Sequence, residues 1–168
     1  MKNNGKPRVS FSHFLEKFPE VDLPVTLNDE LQHQFSKRND PLPPLMIEQH
    51  LAPLDGKLPD EYTEYIACFR LRDTQDFHAL VYWRAELMTY EYTLVTLTPK
   101  GELIAKRTLA GTFYDGEQLI QSVATIDEDG EIIIMSGQSD KNDQHYDPKS
   151  STVTRLELFS EGQIEEII

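Results

Sequence analysis

Phe11, Phe14, Leu15 and Phe18 recur at i, i+3, i+4 and i+7, the spacing that lays apolar side chains along one face of a helix. Ser10 stands where an N-cap belongs, and Pro19 ends the run because its ring disfavours a continuing helical turn. After Leu23-Pro24-Val25-Thr26-Leu27, Asn28 is placed to cap a second short helix carrying Leu31 and Phe35. Ser36 to Pro41 reads as a loop. Pro43 and Pro44 can open a third short helix through Leu51, stopped by Pro53 and the Asp55-Gly56 pair.

From Tyr62 the period changes from helical to two. Tyr65, Ala67, Phe69 and Leu71 alternate in one segment, and Ala79, Val81, Trp83, Ala85 and Leu87 in the next. A four-residue hairpin loop, Asp73-Thr74-Gln75-Asp76, would set Phe69 opposite Leu80 and Cys68 opposite Val81. Both faces of that hairpin then carry apolar side chains, so one face needs a cover, which the helical segment can supply.

Further on, the plan strand, polar turn with a late glycine, strand recurs three times. It runs from Val95 to Ile104, from Ala124 to Ile133 and from Leu156 to Glu165. Gly101, Gly130 and Gly162 supply the positive φ such turns need. Ile132 to Met135 puts apolar groups on both faces, as in a central strand. A closed propeller needs at least four blades of ~40–45 residues, more strand-forming chain than is present. The expected fold is therefore α+β: short N-terminal helices, in residues 1–58, packed on a twisted antiparallel β-meander over residues 59–168. The meander should hold about seven or eight strands, and the whole should form a single domain.

Charge narrows the function classes. With 29 acidic against 16 basic side chains, the formal net charge is −13. Nucleic acids and anionic membranes are held mainly by Lys and Arg neutralising phosphates, so neither is an expected partner. The chain has one cysteine, Cys68, which excludes an internal disulfide and a Cys-based zinc site. Basic residues near Met1 are followed by no apolar stretch of signal-peptide or membrane-span length, so a cytoplasmic location is expected.

The order Phe14-Leu15-Glu16-Lys17-Phe18-Pro19, then Leu23-Pro24, a tyrosine-rich hairpin and repeated strand-x-Gly-Glu-strand turns resembles a group of uncharacterised bacterial proteins. That resemblance implies no activity. Some of those similar proteins carry a lipoprotein-type leader, which is not seen at the start of this sequence.

The candidate chemistry is sparse. His13, His33, His50, His78 and His145 stand too far apart in sequence for a local metal pair, and no metal or cofactor is expected. The loop from Asp140 to Asp147 is rich in oxygen ligands without the calcium-loop spacing, and reads as solvated. Cys68, in an apolar strand, reads as a small buried side chain. No nucleophile elbow, phosphate-binding glycine loop or HExxH motif occurs.

What stands out is a concentration of tyrosine and arginine, the residue types enriched at binding hot spots. Arg70, Tyr82, Arg84, Tyr90 and Tyr92, with Arg72 nearby, are the expected centre of a binding surface, and Trp83 is turned to the core by strand alternation. The functional expectation is a non-enzymatic protein- or small-molecule-binding module. The alternative is a hydrolase-type enzyme assembled only in three dimensions, with His78 or His145 as base.

Overall fold

The computed structural model describes residues 5–72, 74–140 and 151–167. Ser10 accepts the amide of His13 at 3.2 Å and starts α1 (Phe11–Glu16), which drives Phe14 into the core, with Phe18 buried just beyond its end. Asn28 accepts the amides of Glu30 and Leu31, each at 3.1 Å, and so caps α2 (Leu31–Arg38). The third helical run is longer than the sequence suggests. It passes from α3 (Pro44–Met46) through a π-turn (Ile47–Leu51) into α4 (Ala52–Asp55), and stops at Gly56 with φ +74°. Pro53 does not end it, because the wider π-turn relieves the clash between its ring and a carbonyl one turn back.

Among the described residues nine strands form one antiparallel sheet, one or two more than expected. In chain order, β2 (Glu64–Arg70), β3 (His78–Glu86), β4 (Thr89–Leu97), β5 (Leu103–Tyr114), β6 (Gln118–Ile126), β7 (Glu131–Asp140), β8 (Thr152–Leu158) and β9 (Ile164–Ile167) make a meander. The additional strand, β1 (Val25–Leu27), comes from the helical segment and pairs with β6, Leu27 opposite Ala124.

The expected hairpin register holds from Glu64 to Ala67 and then fails. Ala67 faces Tyr82, but Phe69 faces Val81 and Arg70 faces Leu80. Cys68 is the extra residue of a β-bulge that moves the register by one. The side-chain amide of Asn39 donates to the Ala67 and Cys68 carbonyls at 2.6 and 2.9 Å, which satisfies acceptors beside the bulge.

The three repeated turns share one hydrogen-bond scheme. Gly101 donates to the Thr98 carbonyl, Gly130 to Asp127 and Gly162 to Phe159, while Thr98, Asp127 and Phe159 donate to Glu102, Glu131 and Gln163. Each glycine has φ between +84° and +94°, the left-handed position that ends such a turn.

Two apolar layers lie on either side of β2–β4. Phe14, Phe18, Met46 and Leu51 from the helices pack on Tyr65, Leu80, Tyr82, Val95 and Leu97. On the other face, Val81, Trp83, Tyr92 and Leu94 pack with Leu27, Ala124, Ile126, Ile132 and Leu156. Rolling of the sheet brings the later strands over the earlier ones.

The roll turns on β5. It pairs with β4 along nearly its whole length, but with β6 only from Gly111 to Tyr114. Where β5 leaves β6, β1 takes the vacant edge. A Cβ on Gly111 would lie 2.0 Å from the Tyr90 carbonyl oxygen, so this corner admits glycine alone. Beyond the roll, Thr96 donates to the Gly162 carbonyl at 2.6 Å and Arg107 reaches Glu166 at 3.7 Å, which ties β4 and β5 to the last hairpin. Among the described residues, no helix is long and apolar enough to cross a membrane.

Candidate binding clefts

The structure divides the expected tyrosine–arginine surface among separate environments. Alternation does place Tyr82 and Arg84 on the face opposite Trp83, but that face lies under the helices. Tyr82 is fully buried, the Arg84 side chain is 11% exposed and Tyr92 is buried at 1%, so these three do not form an outer surface. The hairpin is covered on both faces, a consequence of the roll that strand alternation does not reveal. Trp83 is 8% exposed and belongs to the core, as expected.

Tyr82 and Arg84 instead meet Asp55, the last residue of α4, whose carboxylate is 1% exposed. Tyr65 and Tyr82 donate their hydroxyls to it at 2.5 and 2.9 Å, Lys106 donates at 2.9 Å, and Arg84 pairs with it at 3.3 Å. Burial alone would raise the Asp55 pKa. Hydrogen bonds from Tyr65, Lys106 and Tyr82 outweigh that and hold it below the usual carboxylate value. Burial and the same carboxylate push both tyrosines well above their ordinary range, so they remain protonated donors. Glu86, paired with Lys57 at 2.9 Å and Arg84 at 2.6 Å, extends the cluster to the surface. This arrangement pins the helical cover to the sheet. In the sequence alone, Asp55 stands only as part of a helix stop.

Arg70 sits at the sheet edge, where its amide donates to the Pro19 carbonyl at 2.9 Å and its guanidinium faces Glu20 at 3.9 Å. Tyr92 donates to the Asn28 carbonyl at 2.8 Å and holds the start of α2. Of the five expected binding residues, Tyr90 is the one that is exposed, at 46%. Its ring stacks on Trp83, with centroids 6.1 Å apart and planes 4° from parallel. The pair borders a shallow recess of about 320 Å³ with Asp29, Gln32, His33 and Thr112. Thr112 donates to the Asp29 carboxylate at 3.0 Å.

A larger cleft lies at the end of the sheet where the β2–β3, β6–β7 and β8–β9 connections converge. It holds about 670 Å³ and is completed by Val21, Asp22 and Leu23 ahead of β1. Leu71 and Phe77 are buried in its floor, with half-buried Leu23 and Leu158 beside them and the Phe159 ring at its rim. The Leu158 amide donates to the Gly130 carbonyl at 2.9 Å, joining two of the turns that form the wall. Around the rim stand four carboxylates, Asp22, Asp76, Glu128 and Asp129, against one guanidinium, Arg72. Arg72 is committed to Glu20 and Asp22, each at 3.1 Å. Of these residues only Arg72 stood near the sequence-based candidate surface, because the four chain segments that form the cleft carry no shared motif.

Among the described residues no group of three or more His, Cys, Asp or Glu side chains could hold a metal ion. Cys68 is fully buried, and burial pushes its thiol pKa up. His78 lies edge-on to Phe11 at 5.7 Å, and burial together with the Arg70 charge lowers its pKa. Apart from Asp140, the last residue of β7, the oxygen-rich loop lies outside the described residues, and so does His145. In comparisons with known proteins, the chain matches no family model, no curated protein and no solved structure.

Proposed function

We propose that this protein is a non-enzymatic binding module whose ligand, a small molecule or a side chain of a protein partner, occupies the cleft at the end of the rolled sheet. The observation that carries the reading is a concave volume of about 670 Å³ with an apolar floor and converging polar groups. Ligand sites span ~300–1,000 Å³ and combine largely apolar walls with a few oriented polar groups. Two of the cleft's walls are joined by the Leu158–Gly130 hydrogen bond, and Phe77 anchors its floor in the core. The competing hydrolase reading would need His78 or His145 beside a carboxylate in a pocket, and His78 does not line this one. A cytoplasmic setting, with Cys68 as a reduced buried thiol, suits the binding reading.

The test is a two-dimensional amide NMR titration of the full chain with a library of small apolar fragments. Binding should concentrate shifts at Leu23, Gln75, Gly130 and Phe159. Shifts confined to the Tyr90 recess, or none at all, would contradict the proposal.

A further inference from the structure

We infer that the ligand of the end cleft is a cation on an apolar body, such as an ammonium or guanidinium carried by an alkyl chain; this rests on the reading of the cleft as a binding site. Arg72, the cationic lining residue, is neutralised by Glu20 and Asp22 at 3.1 Å. Among the described residues no cation pairs with Asp76, Glu128 or Asp129, so three carboxylates around one cavity lack a counter-charge. Each is exposed at the rim, and the ionised form of each needs no desolvation until a ligand arrives.

Below that rim the chemistry changes. Leu71 and Phe77 line the floor beside Leu23 and Leu158. A ligand that fills the cavity must therefore meet apolar surface at depth and negative charge at the mouth. A carboxylate or phosphate ligand would meet like charge there, and a neutral one would gain nothing from the three carboxylates. The overall charge of −13 adds long-range attraction for cations. Acidic residues alone would not define a site; the cavity and its apolar floor supply the shape and the driving force, and the charges select among ligands that fit.

Three probes of equal length separate the two levels of the proposal: hexylammonium, hexanol and hexanoate, each titrated into the full chain by NMR at low salt. The expected result is that hexylammonium binds in the cleft at least about tenfold more tightly than hexanol, and hexanoate more weakly than either. The Asp76→Asn/Glu128→Gln/Asp129→Asn variant should bring hexylammonium to the level of hexanol without changing hexanol binding. High salt should do the same to the unaltered protein, which removes dependence on the variant's folding. Equal binding of hexanol and hexylammonium in the cleft would overturn the charge selection and leave the binding reading standing. Failure of all three to shift cleft amides would overturn both. Hexylammonium shifts scattered over the acidic surface would overturn the inference as well.

Discussion

Replacing Asp55 by alanine should be among the most costly single changes in this protein. The carboxylate is 1% exposed and receives four groups: the Tyr65 and Tyr82 hydroxyls, Lys106 and Arg84. Removing it leaves Tyr82, itself fully buried, with an unpartnered hydroxyl, a cost of ~1–3 kcal/mol. It also leaves Arg84, 11% exposed, without one of its two carboxylates, where breaking a buried pair typically costs ~3–5 kcal/mol. Lys106, at 32% exposure, can turn to water and adds little. These terms share one acceptor and do not add, so the expected loss is about 3–5 kcal/mol. The chain has a single tryptophan, Trp83, in the first hairpin, so urea unfolding followed by its emission reports directly on this part of the fold. Tyr82→Phe should cost less, and in the Asp55→Ala background almost nothing. A loss below about 1 kcal/mol for Asp55→Ala, or full additivity with Tyr82→Phe, would refute the idea that this cluster anchors the helices. The pH dependence follows from the lowered pKa of Asp55. Its stabilisation is complete above the unfolded carboxylate value and disappears as pH falls through the lower folded one. Asp55→Asn should therefore be less stable near neutrality and lose less additional stability on acidification.

Other expectations concern the frame. Gly111→Ala would place a methyl group 2.0 Å from the Tyr90 carbonyl and 2.8 Å from Glu91 Cα; about 3 kcal/mol of destabilisation in thermal melts is expected, and a neutral outcome would mean the corner is not as described. Trp83→Ala should cost ~3–5 kcal/mol, measured by circular dichroism because the fluorophore is lost, while Tyr90→Ala should cost under about 1 kcal/mol since its ring is half in water. Deleting residues 1–27 removes α1 and β1 together and should leave apolar sheet surface that binds hydrophobic dyes; an unchanged melting temperature would contradict the covering role. DNA, RNA and anionic liposomes should not retain the protein at moderate salt, and nanomolar retention would overturn the charge argument.

What was legible in the chain was local. The stripe from Phe11 to Phe18, the caps at Ser10 and Asn28, and the glycines at 101, 130 and 162 each act within a few residues, and their structural outcomes follow from short-range sterics and hydrogen bonding. Pairings between distant segments were not legible. Val25 to Leu27 looks like an apolar link until β6, about a hundred residues later, offers an edge that β5 has left free. The bulge at Cys68 has no glycine or other local mark, yet it moves Phe69 opposite Val81. For Tyr82 and Arg84, alternation correctly gave the side opposite Trp83. That both sides are covered depended on distant elements: the roll of the sheet covers one, and the helices, pinned through the Asp55 carboxylate, cover the other. The cleft is the extreme case, with Leu23, Phe77, Gly130 and Phe159 brought together only by the roll.

Intermolecular nuclear Overhauser effects would show directly whether this cavity seats a cationic ligand by its apolar body. With hexylammonium bound to the full chain, contacts should run from the ligand's terminal methyl to the Phe77 ring and the Leu23 and Leu158 methyls, with the ammonium end toward Asp76, Glu128 and Asp129. Contacts to Tyr90 and Trp83 instead, or an absence of contacts to Phe77 under saturating ligand, would contradict it.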